Sequence, residues 1–311
     1  MSEDVDMSDD PRQLSLIHRR LVSSSAEIMG APPEEITYQH TVLCQVCLPY
    51  RDPGDAVRKW EREQGRIALR INAGEVHDPD TQEWIELGLP FGPKPRLVLM
   101  HLNAQAIKTQ SPVIEVEDSL TAFVKRIRLA AHGRDIRTIK DQLARLASAT
   151  IRMAVGHEDR PAQLNGQIVD AFDLWFPKDH RQRVLWPSTV ELNGKYFESL
   201  AKHAVPLDER AIAALSHSSM ALDIYAWLAQ RLHRIKFGKS HFVPWKSLKD
   251  QFGFNHKRMN NFRAVFLKAL GQVHSQYRGA RIGIDDRGLT LHHSPPPIQG
   301  RIATVPALPG K

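Results

Sequence analysis

The stretch from Asn255 to Tyr277, NHKRMNNFRAVFLKALGQVHSQY, constrains this chain more than any other. Met259, Phe262, Phe266, Leu270 and Val273 recur at spacings of three and four, which places them on one stripe of a helix. Lys257, Asn260, Asn261, Arg263 and Lys268 fall mainly off that stripe. Cations suit phosphate and guanine, and amides suit adenine, so the first turns of this helix carry the donors that read DNA. Before it, Ser247 and Asp250 in SLKDQFG fit a capping box opening a short helix that Gly253 ends. After it, ARIGI and LTLHH alternate apolar and polar residues across Asp285-Asp286-Arg287-Gly288, a hairpin pattern. Short helix, turn, long helix and hairpin is the order of a winged helix-turn-helix.

Charge singles out the same region. Residues 231–281 hold twelve Lys/Arg against one acid, Asp250, in a chain whose net charge is only +7. A second basic segment, 119–155, holds eight Lys/Arg against Asp135 and Asp141. Two positive segments in a neutral-to-acidic background point to a polyanionic partner; the alternative is a pair of solvated helix faces. The start, MSEDVDMSDD, lacks the basic and apolar regions of a signal peptide, so a cytoplasmic protein is expected. No apolar run is long enough to cross a bilayer.

The chain's 311 residues suggest two domains between two tails. Residues 1–35 are expected as a flexible tail, although LSLIHRRLVSSSAEIM has the pattern of one amphipathic helix. Residues 36–180 form the first unit: a strand over VLCQVCLP from Thr41, a short helix within 56–64, and strands over 66–72 and 83–87 paired as a hairpin. A helix along Leu97 to Lys108, a short strand at 113–116 and a helix over LTAFVKRIRL follow. The next helix, RDIRTIKDQLARLASATIRM, buries Ile136, Ile139, Leu143 and Leu146. Strands at 151–155 and 167–176 flank the polar loop GHEDRPAQLNG. Residues 181–294 form the second unit, with a junction to Pro206, helices over 210–215 and MALDIYAWLAQRLHRI, and an edge strand at Val243-Pro244-Trp245. Residues 295–311 are a proline-rich tail. The expected class is mostly α with small β-hairpins (α+β), as tandem winged helix-turn-helix domains. The order of elements in the first unit repeats that of the second, without repeating its residues.

Other chemistry finds little support. Cys44-x-x-Cys47 has no second pair, and on a strand its thiols would diverge, so no metal site is expected. Gly238-Lys239-Ser240 matches the end of a nucleotide-binding loop, but His233 stands where that loop needs glycine, so no cofactor is expected. Tyr225 lies on an apolar stripe and Tyr277 at a helix end, which argues against a nicking tyrosine. No catalytic constellation is expected.

The stretches VPLDERAIAAL, SSMALDIYAWLAQRLHRI, VPWKSLKDQFG and NNFRAVFLKALGQVHSQYRGARIGI resemble the plasmid replication initiators of the RepA type. So do SLTAFVKRIRLAAHGRDIRTIKDQLARL and RVLWPSTVELNGKYFESLAKHAVPLD upstream, over roughly Arg96 to Ser294. The resemblance implies a non-catalytic initiator that binds repeats in double-stranded plasmid origin DNA through two winged-helix domains. It implies recruitment of the host helicase and primase, repression of its own gene, and a homodimer in equilibrium with monomer. The DNA-contact role carries onto the two helices only: Arg134, Arg137, Thr138, Lys140 and Arg145 in the first unit, and Lys257, Arg258, Asn260, Asn261, Arg263 and Lys268 in the second. The competing readings are a winged-helix transcriptional repressor without initiator activity and, from another class, an origin-nicking relaxase or primase.

Overall fold

The computed structural model describes residues 15–77, 82–115, 122, 124, 133–155, 162–172 and 189–298. Among them are eight α-helices and fourteen short strands in small antiparallel sheets. Most of LTAFVKRIRL, most of residues 1–15, most of the proline-rich tail and the 173–188 stretch lie outside the described residues. No described helix is long and apolar enough to cross a membrane.

Helix α1 (Leu16–Gly30) is capped by Ser15, whose Oγ accepts from the His18 amide at 3.3 Å. It packs on α5 (Glu209–Leu215) and α8 (Met259–Gln276), and buries Leu21. The helical pattern of 16–30 therefore prevails over the expected tail. Strand β1 (Ile36–His40) pairs with β11 (Ala204–Asp208), so the chain closes on itself across more than 160 residues. The strand expected from Thr41 is instead a run of turns, with Val46 N donating to Val42 O at 3.0 Å. Cys44 and Cys47 consequently point into one core rather than to opposite faces of a strand. Burial pushes both thiols up.

The short helix expected within 56–64 is strand β2 (Lys59–Gln64). It pairs with β3 (Ile67–Asn72), which pairs with β7 (Thr150–Val155), and β7 with β8 (Ala162–Gln167). The polar loop expected before 167 thus forms a sheet strand in its second half. The 84–86 strand, β5 (Trp84–Glu86), pairs with β4 (Glu75–His77) and not with β3. Helix α2 (Pro93–Thr109) starts on proline, whose missing N–H costs nothing there. It is followed by β6 (Val113–Glu115) and, beyond the undescribed stretch, α3 (Gly133–Ser148). The α3 stripe is as expected: Ile136, Ile139, Leu143 and Leu146 are buried. Strands β9 (Val169–Phe172) and β10 (Thr189–Leu192) join β6 in a sheet ordered β6-β10-β9. Helix α4 (Gly194–His203), capped by Asn193, buries Tyr196, Phe197 and Leu200 in the same core.

The second core is built on α6 (Ser219–Arg231), where Ser218 Oγ caps by accepting from Ala221 N at 3.2 Å. Every residue from Ser219 to Gln230 is buried, as its apolar surface on all sides predicts. Strand β12 (Ser240–Pro244), α7 (Trp245–Phe252), α8, β13 (Ile282–Ile284) and β14 (Gly288–His292) complete it, with strand order β12-β14-β13. The capping box at Ser247 does not form. Helix α7 begins at Trp245 straight from the extended Pro244, which leaves Ser247 inside the helix.

Two contacts help fix one unit against the other, beside the β1–β11 pairing and the packing of Leu97 and Met100 in the second core. Arg96 on α2 and Asp223 on α6 are both buried and form a bidentate pair, with Nε to Oδ1 and Nη2 to Oδ2 each at 2.8 Å. The remaining guanidinium protons reach the carbonyls of Leu48, Pro49 and Gly92. A buried charge pair is tolerable only when its polar atoms are so satisfied. The second contact is Phe254, just past α7, whose ring lies 4.8 Å from Tyr50 and 4.9 Å from Trp60, with the Arg62 guanidinium 4.0 Å above it.

Candidate nucleic-acid interface

The α7–turn–α8 segment is held by apolar packing beneath and hydrogen bonds at the hairpin. Trp245 donates its backbone N–H to Arg287 O at 2.9 Å and its indole N–H to Asp285 O at 3.0 Å. Its ring meets Phe262 and Phe266 edge-on, which ties the first residue of α7 to the buried stripe of α8. Two glycines permit close approach. A Cβ on Gly253 would lie 2.5 Å from the Phe262 ring, and one on Gly288 would lie 2.1 Å from Val243 O. In the hairpin turn, Asp285 Oδ1 accepts from the amides of Arg287 and Gly288, and these bonds hold its carboxyl below the ordinary value.

On this frame Phe262, Phe266, Leu270 and Val273 are buried, so the opposite face of α8 is turned outward. Lys257, Arg258, Asn260 and Asn261 are all exposed. Lys257 and Arg258 precede the helix rather than lying in it, because α8 starts at Met259. No side chain caps that end and no acid lies in its first turn, so unpaired backbone N–H groups and two cations share one place. Arg263 is half-buried: its guanidinium lies 4.9 Å over the Trp245 ring and 3.3 Å from Asp286. Lys268 is exposed two turns further along, where it lines a groove with α1. The structure thus brings together Lys257, Arg258, Asn260 and Asn261, engages Arg263 with the hairpin, and leaves Lys268 apart.

The first unit treats its candidates differently. Arg137 on α3 is exposed, and Thr138 and Lys140 are half-buried and engaged. Arg134 lies in the first turn of α3; its side chain is outside the described set. Arg145 serves packing rather than display: its side chain is 14% exposed, its Nε donates to Asp141 at 3.0 Å, and it lies over the Phe91 ring. Sequence reasoning counted Lys246 within the basic segment without selecting it, and named Arg287 only as part of the hairpin turn. Lys246 is exposed on α7, and Arg287 is 82% exposed at the hairpin tip. Their signal was position, one residue into a helix and one before a turn glycine.

The tyrosines considered for nicking are buried. Tyr225 accepts from Asp208 N at 3.2 Å, Tyr277 donates to Pro295 O at 2.6 Å, and burial raises both hydroxyls above the ordinary range. Gly238-Lys239-Ser240 forms a turn running into strand β12, not a strand running into a helix. Among the described residues no group of three His, Cys, Asp or Glu is gathered as a metal site.

A family model described as plasmid encoded RepA protein matches residues 89–246, just over half of the chain. Among solved structures, crystals of domains 2 and 3 of RctB are similar at a TM-score of 0.50 and 9% identity, over 81% of this chain and 98% of that one. A second RctB structure, spanning its residues 155–483, gives 0.49 and 9% over 80% and 94%. At that identity the first likeness is one of fold. No curated protein matches the sequence.

Proposed function

The chain belongs to the plasmid-encoded RepA family of replication initiators, and from that premise we propose that it binds repeated duplex sites at a plasmid origin through two winged helix-turn-helix units. The observation that carries this is the exposed set Lys257, Arg258, Asn260 and Asn261 at the acid-free start of α8, beside a hairpin. The topology supports it in both units. A strand follows a long helix and pairs with a later strand: β12 with β14 in the second unit, and β6 with β10 in the first, which therefore reaches past the boundary expected at 181, since β10 pairs with both β6 and β9. In a winged helix-turn-helix such a closure sets a hairpin beside the recognition helix.

The mechanism is binding energy. Lys257, Arg258, Lys246 and Arg287 neutralise phosphates and release counterions, which makes affinity fall steeply with salt. Asn260 and Asn261 reach base edges, where amides pair with adenine. Arg263, held by Asp286, stands behind them as a support or exchanges that carboxylate for a phosphate on binding. In the first unit Arg137, Thr138 and Lys140 face DNA from α3. The joint made by Arg96–Asp223 and Phe254 holds the units at one spacing, so they engage successive groove segments together. In this reading the protein acts in the cytoplasm without cutting DNA, recruits the host helicase and primase, and represses its own gene as a dimer.

The test is a footprint on the origin repeats. Lys257→Ala with Asn260→Ala and Asn261→Ala should weaken specific binding about a hundredfold and leave the melting curve in place, since all three are exposed. Unchanged protection of the repeats would remove α8 as the reader. A plasmid carrying only this gene and its origin then separates initiator from repressor by whether it replicates, and covalent attachment to supercoiled origin DNA would reveal a nicking enzyme.

A further inference from the structure

The outer face of the β12-β14-β13 sheet is a further exposed surface, separate in its residues from the face of α8. Strand β12 is an edge strand, and its partners in register show which side chains share a face. Val243 pairs with Leu289, and both are buried in the core. Phe242 pairs with Thr290, which pairs with Gly283, so these three lie on the outer face with Ser240 and His292. Small neighbours leave the Phe242 ring uncovered, at 44% exposure, with the Arg287 guanidinium 5.6 Å from its centre.

The turn before this strand continues the pattern. Lys239 N donates to Lys236 O at 3.0 Å, and Gly238 takes a φ of +74°, a backbone conformation that glycine adopts without strain. Phe237 is thereby set at the corner of the turn, 86% exposed, between two lysines. Its ring meets His293 edge-on at 5.8 Å, and His293 is fixed in turn by a 2.7 Å bond to Ile235 O. From residue 231 to 249 there is no acid. A phenylalanine this exposed gains nothing from folding, and nothing in the fold calls for it in this cationic turn.

Two uncovered rings, at most about 17 Å apart along an extended strand and each with cations beside it, match what unpaired nucleotides require. Bases stack on the rings whatever their identity, and cations track the phosphates. A duplex offers its bases only at their edges, so it cannot use such rings in this way. We propose that the outer face of the β12-β14-β13 sheet, with the 236–239 turn, binds single-stranded nucleic acid, with Phe237 and Phe242 stacking on bases and Lys236, Lys239 and Arg287 on phosphates. The surface shares Arg287 with the duplex reading and otherwise uses different residues. At an origin it would hold a strand freed next to the bound duplex.

The experiment is fluorescence anisotropy of the full chain with labelled oligothymidylate and oligouridylate of about twenty nucleotides, and with an origin-repeat duplex. Phe237→Ala and Phe242→Ala should each weaken single-strand binding about fivefold or more, and together about thirtyfold. Phe237→Tyr should retain it, and duplex affinity should stay unchanged in all four variants. The DNA and RNA arms tell which chain is preferred. The Lys257, Asn260 and Asn261 triple variant should lose the duplex and keep the single strand, so failure of the duplex reading is distinguishable from failure of this one. No binding of either oligonucleotide, equal binding by the double variant, or parallel loss of duplex and single-strand binding would each overturn the proposal.

Discussion

The two units share a strand order but use their helices differently. In each, a long helix leads to a strand that pairs with a later strand, giving β6-β10-β9 and β12-β14-β13. In the second unit the hairpin follows α8 directly, and the cations at the start of that helix face outward. In the first, an extra hairpin, β7–β8, comes between α3 and the closing strands and completes the sheet begun by β2 and β3. Arg145 of α3 is held by Asp141 on its own helix and lies over Phe91, from the chain that precedes α2. A basic helix is therefore not one kind of object. What differs is whether other parts of the chain, here Phe91 and Asp55 from before the helix, engage its cations.

The largest expected effect lies where the units meet. Arg96→Met leaves Asp223 buried without its partner and should cost about 3–5 kcal/mol in urea unfolding. Joining it to Asp223→Leu removes both charges and should recover most of that loss. If Arg96→Met is silent, the pair does not hold the units together, and their similar topologies could then be read as two independent domains.

A second difference is acid sensitivity. His40, on β1, is fully enclosed with Tyr196 and Ser199, and burial, reinforced by His203, lowers its pKa to about 3. Its Nδ1 accepts from Val42 N, so the neutral ring donates from Nε2 to Ser199 Oγ at 3.0 Å. The folded-state value is depressed, so the unfolded chain takes up this proton first. Stability is complete above the ordinary histidine range and is lost as pH falls toward 3. Between pH 7 and 4.5 the expected loss from this group is roughly 3 kcal/mol. Urea titrations across that range should show a shallower slope for His40→Gln. An unchanged slope would place the acid-labile group elsewhere.

The contrast between reader and strut can be measured by exchanging readouts. Arg145→Ala should destabilise by about 1–3 kcal/mol and leave duplex affinity unchanged below the melting range. Lys257→Ala should do the reverse, shifting stability by less than about 0.5 kcal/mol while weakening the duplex complex and reducing its salt slope by about one. Loss of DNA affinity in a still-folded Arg145→Ala protein would return Arg145 to the DNA-contact role expected of it.

Much of this was legible in the sequence, and the part that was not has a physical pattern. The stripes of α3 and α8, the all-round apolar α6, and the 282–292 hairpin are set by neighbours three, four or two residues away, so local periodicity reveals them. Lys59–Gln64, KWEREQ, is rich in helix formers and reads as helix, yet pairing with β3 makes it a strand. The run Val42 to Leu48 is buried on all sides, and a turn there shows the same unbroken apolar signature as a strand. Strand β1 went unseen because its partner, β11, lies far along the chain. Among the candidate contacts, the exposure of Lys257, Asn260 and Asn261 was legible from residue type and helical position. Phe237 was not, because a single aromatic in a loop acquires meaning only when its exposure is known.

The smallest effect concerns Arg263, which the sequence placed among the base contacts and the structure sets against Asp286 and Trp245. Asp286 is fully exposed, so solvent screens the ion pair, which adds little stability and weakens with salt. Asp286→Ala should therefore leave the melting curve nearly unchanged. Its effect on DNA separates two roles for the arginine. If Arg263 must leave the carboxylate to reach a phosphate, Asp286→Ala frees it and tightens duplex binding by about twofold to fivefold. If Arg263 instead orients the hairpin against α8, the same change weakens binding, and Arg263→Lys, which cannot cover the indole face as a planar guanidinium does, weakens it further. Binding isotherms of the two variants and of their combination decide between these, because only in the first case does Asp286→Ala lose its effect once Arg263 is removed while raising affinity when it is present.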